Sequence, residues 1–324
     1  MKFVAWMAYH LESRRIVDDY IERVADSLAG HTFVICEDVG AVEREIVDAD
    51  VMIGWRITPE VFARAKQLKW IQFGSSGIDH TIFPELIASD VILTTLSGIH
   101  IIPVAEHVMA MMLSLTRRLD LSMKLQMERR YDRAEIADTA GELAGKTIGI
   151  AGLGKIGMSI ARLSAAFGMR VVGMKRTVGP ALNGIDKIFA PEELHKMLPE
   201  VDMLVLVVPL TSETRELIGR REIEMMKDGA YFINVARGAM VDHEALGDAL
   251  RSGKLRGAAL DVFPTEPLPP ASPIYNLPNT IITPHTAGSS RNYGERAASI
   301  FRQNLQAFLS GGEMINVYNR ERGY

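Results

Sequence analysis

Cysteine is almost absent: Cys36 is the only one, so an intrachain disulfide is excluded, and its place in the apolar run Thr32 to Cys36 suits a thiol packed in a core. Long apolar runs are absent too. No stretch reaches the roughly 18 residues that a membrane-crossing helix needs. The opening residues, MKFVAWMAYHLESRR, lack both an apolar centre and a small-residue cleavage site, which makes the cytoplasm the expected compartment. Excess charge is missing as well: 36 Lys and Arg against 40 Asp and Glu leave a net charge of −4, too small and too evenly spread for a nucleic-acid surface. The pairs Arg117-Arg118 and Arg129-Arg130 are read as solvated helix faces. There is no internal repeat or low-complexity tract, and no metal is expected. What remains is 324 residues, 48% hydrophobic and 23% charged, enough for two ordinary globular domains.

The most informative stretch runs from Lys146 to Thr177. A short apolar run, Thr147 to Ala151, reads as a buried strand. Gly152, Gly154 and Gly157 then spell G-x-G-x-x-G, an amphipathic helix follows from about Lys155 to Phe167, and a second strand, Arg170 to Met174, closes the unit. In that order the first glycine permits a tight turn, the second lets a pyrophosphate approach the backbone, and the third lets helix pack on strand. The free N–H groups of the helix start then hold phosphate. Roughly twenty positions beyond the glycines, where an acidic residue would accept the ribose 2′-hydroxyl of NAD, stand Lys175, Arg176 and Thr177. A Lys-Arg pair attracts a 2′-phosphate instead. The expectation is NADP(H) preferred by at least about tenfold, or about 1.4 kcal/mol, with NAD(H) possible.

Up to about Ser97 the chain alternates short apolar runs with helical patterns, as a doubly wound α/β sheet requires. The predicted strands are Lys2 to Ala8, Thr32 to Cys36, Asp50 to Gly54, Leu68 to Phe73 and Val91 to Thr94. Thr58, Pro59 and Glu60 form a helix start. Gly74-Ser75-Ser76-Gly77 follows the fourth strand at the sheet edge where open α/β folds bind ligands, and successive N–H groups in such a loop can take an anion. Pro103 opens a long Met-rich apolar helix, read as core or subunit contact. Further strands are predicted at Met203 to Val208, Ala230 to Asn234, Ala258 to Asp261 and Thr280 to Ile282. A closing helix from about Ser290 to Leu309 is expected to return to the first domain. That gives a discontinuous domain, 1–98 plus 290–324, and an inserted domain, 99–289.

Arg237, Glu266 and His285 sit at three strand ends of the second domain. Each alone is commonplace. Together, beside a nicotinamide site, they supply a fixed cation for a carboxylate and carbonyl, a proton donor, and a carboxylate that keeps that donor charged. That combination is general acid catalysis when a 2-oxoacid is reduced and general base catalysis in reverse.

The chain resembles the D-isomer-specific 2-hydroxyacid dehydrogenase family over essentially its full length. The resemblance rests on GSSGID at Gly74 to Asp79, PVAEH at Pro103 to His107, GLGKIG at Gly152 to Gly157, VPLTSET at Val208 to Thr214, INVARG at Ile233 to Gly238, ALDVFPTEPLP at Ala259 to Pro269 and TPHTAG at Thr283 to Gly288. It implies two doubly wound parallel-sheet domains, a flavodoxin-like substrate domain and an inserted Rossmann domain. It further implies that Arg237 binds the substrate carboxylate and carbonyl, that His285 exchanges the proton, that Glu266 orients and charges His285, and that the backbone of Ser75, Ser76 and Gly77 holds the carboxylate. Asp261 would bind the nicotinamide carboxamide. Lys155, Ile156, Val208, Pro209, Thr214, Val235, Ala236, His285 and Gly288 complete the cofactor surface carried over from the motifs. A homodimer through Pro103 to Arg133 is the family's usual arrangement, and the two lobes are expected to close on a small 2-oxoacid or D-2-hydroxyacid.

Departures from the pattern matter equally. Lys175 stands where the family's NAD-selecting Asp would be, Thr286 replaces the usual Ile or Leu, and Tyr131 stands for a Trp near the dimer contact. Glu266 argues against formate chemistry, which pairs the His with Gln. Trp55, Arg56, Ile78, His100 and Ile101 are candidates for setting substrate size. A reading from another class is an NAD(P)-sensing, corepressor-like scaffold without turnover; the compact chain without basic surface argues against it.

Overall fold

The computed structural model describes residues 1–7, 14–176 and 183–321; Ala8, placed in the first predicted strand, lies outside them. Two compact units emerge, Met1–His100 with Ser289–Tyr324, and Ile101–Gly288. In the first, β1 (Lys2–Trp6), β2 (Thr32–Cys36), β3 (Val51–Gly54), β4 (Trp70–Phe73) and β5 (Ile92–Thr94) form an all-parallel sheet in the order β2-β1-β3-β4-β5, the flavodoxin-like winding. Its inner strands are covered on both faces, so they read as apolar runs, broken in β4 by Gln72; every residue of β3 and β4 is buried. The cap pattern at Thr58 is realised in the helix Pro59–Arg64, where the Thr58 hydroxyl accepts from the Val61 N–H at 3.3 Å.

The helix Tyr293–Ser310 lies against this first sheet. Phe301 stacks on Trp70 with ring centres 5.6 Å apart, and both are fully buried. A polar pin crosses the same contact: buried Gln72 Oε1 accepts from Asn304 Nδ2 at 3.1 Å and from the Thr94 hydroxyl at 2.9 Å. A buried amide without such partners would cost about 1–3 kcal/mol, so the pin fixes register as well as contact.

The second unit holds β6 (Thr147–Ala151), β7 (Arg170–Met174), β8 (Lys187–Phe189), β9 (Met203–Leu206), β10 (Ala230–Asn234), β11 (Leu255–Leu260) and β12 (Thr280–Ile282) in the order β12-β11-β10-β9-β6-β7-β8. All pairs are parallel. Strand order reverses between β6 and β9, which makes the end of β6 the switch point of a Rossmann sheet. Two apolar layers sandwich it, one including the helix Ile101–Arg117 through Val104, Val108 and Met112, the other the helix His243–Ser252 through Leu246 and Leu250.

Several sequence expectations shift. β9 stops at Leu206, and β11 starts at Leu255 and ends at Leu260, so Val208 and Asp261 lie in loops. β8 is an additional three-residue edge strand, absent from the sequence expectations. The long helix begins at Ile101, two residues before Pro103, because proline is tolerated throughout a first turn whose N–H groups have no helical acceptor. Of the two arginine pairs, only Arg117 lies exposed on a helix, as its last residue. Arg118 ends the helix at φ 56° and turns inward to Asp120 at 3.1 Å and Asn279 at 3.2 Å. Arg129 also has positive φ, and exposed Arg130 bonds Glu128, Asp132 and Glu135 beyond the helix end.

Candidate active site

The glycine-rich turn follows β6. Gly152 has φ 115°, a region open to glycine and costly for other residues. A Cβ on Gly157 would overlap the Gly152 carbonyl oxygen, whereas one on Gly154 would meet nothing within 4 Å. The third glycine is therefore a packing requirement and the second leaves open room. Gly154 is the N-cap of the helix Lys155–Ala166 and gives it no side-chain cap, so the N–H groups around Lys155 and Ile156 are available to an anion. These features fit a dinucleotide pyrophosphate.

At the end of β7, the Lys175 N–H bonds the Phe189 carbonyl at 3.0 Å, while the exposed Arg176 guanidinium meets Glu213 Oε2 at 3.2 Å. Thr177 lies outside the described residues. Glu213 belongs to the loop after β9, which clasps itself: the Thr214 hydroxyl donates to the Pro209 carbonyl at 2.7 Å and accepts from the Thr211 N–H at 2.8 Å.

Arg237 follows β10 on a turn that buried Asn234 holds twice, accepting from the Ala236 N–H and donating to the Arg237 carbonyl, both at 3.0 Å. Gly238, beside it, receives His243 Nε2 at 3.1 Å. Glu266 comes from the loop after β11. Its Oε1 accepts the Phe263 N–H at 2.9 Å and its Oε2 lies 2.6 Å from His285 Nδ1. Burial works against the Glu266 charge, but the bonds from His285 and Phe263, with Arg237 nearby, hold its carboxyl below the ordinary value. The bond to Glu266 in turn raises the His285 pKa, against burial and the positive Arg237. Arg237 thus acts on both partners, and the structure brings the three together.

His285 has φ 54°, unusual for a residue with a side chain. Asp261, 1% exposed, over-determines that turn. Its carbonyl accepts the His285 N–H at 2.8 Å; its carboxylate accepts the Thr283 hydroxyl at 2.6 Å, the Thr286 N–H at 2.8 Å and the Ala287 N–H at 3.0 Å. His107 Nε2 lies 3.0 Å from the Thr283 hydroxyl. Val235 and Gly288 lie in the same strand-end loops.

In the first unit, the Gly74–Gly77 loop is built by its own side chains. The Ser75 hydroxyl donates to the Gly77 carbonyl at 2.9 Å, and the Ser76 hydroxyl to the Leu96 carbonyl at 3.0 Å. Among the described residues no acceptor is paired with the N–H of Ser75, Ser76 or Gly77, the arrangement of an anion-binding nest. Trp55 and Arg56 follow β3, the Arg56 guanidinium resting 5.2 Å over the Trp6 ring. Ile78, a candidate for substrate size, is instead core: it is 2% exposed and packs in the apolar layer with Phe73 and Leu86.

Residues 109–287 match the profile of the D-isomer specific 2-hydroxyacid dehydrogenase, NAD binding domain. The chain belongs to the D-isomer specific 2-hydroxyacid dehydrogenase family. It is therefore an oxidoreductase with a Rossmann nucleotide-binding domain. It is 35% identical over 290 residues to a glyoxylate reductase of Thermofilum pendens, covering 86% of this chain and 84% of that one. To a D-3-phosphoglycerate dehydrogenase of Methanocaldococcus jannaschii it is 33% identical over 310 residues, but these span only 59% of that longer protein against 91% of this chain. A solved NADPH-dependent glyoxylate/hydroxypyruvate reductase of Sinorhizobium meliloti, in complex with NADP and sulfate, superposes with a TM-score of 0.85 at 26% identity, covering 100% of this chain and 99% of that one.

Reasoning from sequence missed several contributors to this dehydrogenase site. Asn234, Thr283 and His107 act by holding other residues, and Asp261 gains a structural task at the His285 turn. Asn234 and Thr283 were visible only as members of INVARG and TPHTAG. Glu213 was visible only as a member of VPLTSET, and its partner Arg176 is distant in sequence.

Proposed function

We propose that the chain is an NADPH-preferring reductase that interconverts a small 2-oxoacid and a D-2-hydroxyacid. The observation that carries this reading is the His285–Glu266 pair, 2.6 Å apart, with Arg237 close enough to act on both. The N–H groups of Ser75, Ser76 and Gly77, with Arg237, take the carboxylate. Arg237 also polarises the carbonyl. Bound nicotinamide supplies a hydride to the carbonyl carbon. His285, whose Nδ1 is engaged by Glu266, delivers a proton from Nε2 to the carbonyl oxygen, and Glu266 stabilises the charged ring before the transfer. In oxidation the same nitrogen accepts the proton.

Lys175 and Arg176 would hold the 2′-phosphate, and the NADP-bound neighbour supports that choice. Asp261 would receive the carboxamide with lone pairs left after its three bonds, while Val208, Pro209, Thr214, Val235, Ala236 and Gly288 line the nucleotide. A homodimer through the Pro103 to Arg133 region is supported by an apolar row at spacing four on the helix Leu119–Met127, made by Leu119, Met123 and Met127, exposed by 48%, 67% and 86%, with Tyr131, 97% exposed, beyond the helix end; such exposed apolar surface marks a contact. Among the described residues no helix is long and apolar enough to cross a membrane, and we place the protein in the cytoplasm.

The test is the near-ultraviolet absorbance of reduced nicotinamide with purified protein, NADPH or NADH, and 2-oxoacids from glyoxylate to phenylpyruvate. Oxidation of NADPH with one or two acids, and much less of NADH, is the expected result. NADPH binding without turnover of any acid would turn the assignment to the sensing scaffold.

A further inference from the structure

Tyr293 is the first residue of the helix Tyr293–Ser310, is 4% exposed, and sends its hydroxyl to the Gly74 carbonyl at 2.5 Å across 219 positions of sequence. Its ring has little freedom. Tyr20 meets it edge-on at 5.8 Å, Trp55 stacks on it at 6.2 Å, and His100 lies 6.3 Å away. Trp55 also lies against Gly74, where a Cβ would come within 3.0–3.2 Å of the indole. The phenol is thus a rigid donor aimed at one carbonyl.

That carbonyl belongs to the peptide that carries the Ser75 N–H. A trans peptide is planar, with C=O and N–H pointing in opposite directions, so fixing the oxygen of Gly74 fixes the direction of the Ser75 hydrogen. The next peptide is fixed in the same way, since the Ser75 carbonyl accepts from the Leu96 N–H at 2.9 Å, and this aims the Ser76 N–H. A hydrogen bond accepted at the oxygen also polarises the peptide and strengthens its N–H as a donor. Neither effect requires Tyr293 to touch the substrate.

We infer that Tyr293 is a positioning residue for the carboxylate of a 2-oxoacid, acting through the Gly74–Ser75 peptide. The inference rests on the proposed role of the Ser75–Gly77 loop and deepens it.

The experiment compares wild type with Tyr293→Phe, which keeps the ring and deletes the hydroxyl. Steady-state kinetics with glyoxylate and NADPH are measured beside the Ser75 amide resonance in protein labelled with ¹⁵N-serine. The expected result is a glyoxylate KM raised at least about fivefold, roughly 1 kcal/mol, with the NADPH KM unchanged and the Ser75 amide proton moved upfield. Site-specific 3-fluorotyrosine at position 293 keeps every contact and makes a stronger donor; it should lower the glyoxylate KM and move the amide downfield. A lower melting temperature with an unchanged glyoxylate KM, a parallel rise of both KM values, or an unmoved Ser75 amide overturns the inference. Should wild type turn over no 2-oxoacid, the proposed function fails by itself, and the amide shift in the two variants still decides whether Tyr293 aims the donor.

Discussion

Charge is held in two different ways in the second unit. At the turn from Asp261 to Gly288 it is over-determined: buried Asp261 accepts three bonds through its carboxylate, and His285, its side chain 41% exposed, sits at positive φ between Asp261 and Glu266. Beyond β7 it is exposed, with Arg176 and Glu213 meeting in a surface ion pair at 3.2 Å. On the proposed function, a turn of the first kind would have to present a proton donor in one place at every turnover, whereas a segment of the second kind would only choose between cofactors that differ at one hydroxyl. Surface charges would suffice for that choice, because long-range attraction tolerates imprecise geometry.

The sharpest way to break that contrast is at His285. With His285→Ala, kcat for 2-oxoacid reduction should fall by about 10²–10⁴; retention of turnover would remove the acid from the turn. The pH profile sharpens it further. Reduction needs His285 protonated, so kcat/KM should fall as pH rises through a value above the ordinary 6.5. Glu266→Gln should move that fall to lower pH, because the main cause of the raised value is gone. The same signs govern stability. What His285 contributes is complete below about 6.5 and lost as pH rises through its folded value, whereas the Glu266 contribution is present above its ordinary 4.5 and lost as pH falls through its lowered one. Thermal melts across pH would show both flanks, and Glu266→Gln should flatten them.

Asp261→Asn comes next in size. The amide replaces a carboxylate that accepts three bonds, and with one oxygen turned into a donor at least one N–H or hydroxyl loses its partner, at about 1–3 kcal/mol. Melting temperature and kcat should fall together, since the turn that presents His285 loosens; a fall in stability alone would separate Asp261 from the chemistry.

At the exposed segment, effects should be smaller and selective. Lys175→Asp with Arg176→Ala should shift the ratio of kcat/KM from NADPH toward NADH by about tenfold or more without moving the glyoxylate KM. An unmoved ratio would place the 2′-phosphate site elsewhere.

This contrast also explains what could be read from the chain alone. The sheets were legible because fully covered parallel strands leave unbroken apolar runs, as at β3 and β9, and because Gly152 and Gly157 answer to steric demands that no other residue meets. Arg237, Glu266 and His285 stood out as polar side chains at strand ends, and the structure pairs Glu266 with His285 and sets Arg237 near both. The holding residues were not: Asn234 acts through bonds to the backbone of Ala236 and Arg237, and Thr283 through its bond to the Asp261 carboxylate, partners that only the folded turn supplies. Arg118 misled for a related reason, since nothing local reports that its helix ends at positive φ and turns the guanidinium inward to Asp120. Ile78 misled in the opposite sense. Adjacent to a ligand loop in sequence, it points into the core.

Glu213 offers the smallest and most discriminating test of the exposed segment. Its side chain is 76% exposed and holds the Arg176 guanidinium in an ion pair that water and salt screen to a net worth of about 0–1 kcal/mol. A 2′-phosphate bound at Lys175 and Arg176 must compete with that carboxylate and lie near its charge. Glu213→Gln removes both costs while leaving the self-clasped Thr211–Thr214 loop intact, so the NADPH KM should fall about two- to threefold, on the order of 0.5 kcal/mol, and the NADH KM should stay within error. Because the interaction is exposed, the gain should shrink as ionic strength rises and the Debye length falls below about 8 Å. A change of equal size for both cofactors would instead assign Glu213 to the loop itself, and the contrast between a clamped acid and a loosely held selector would then rest on Lys175 alone.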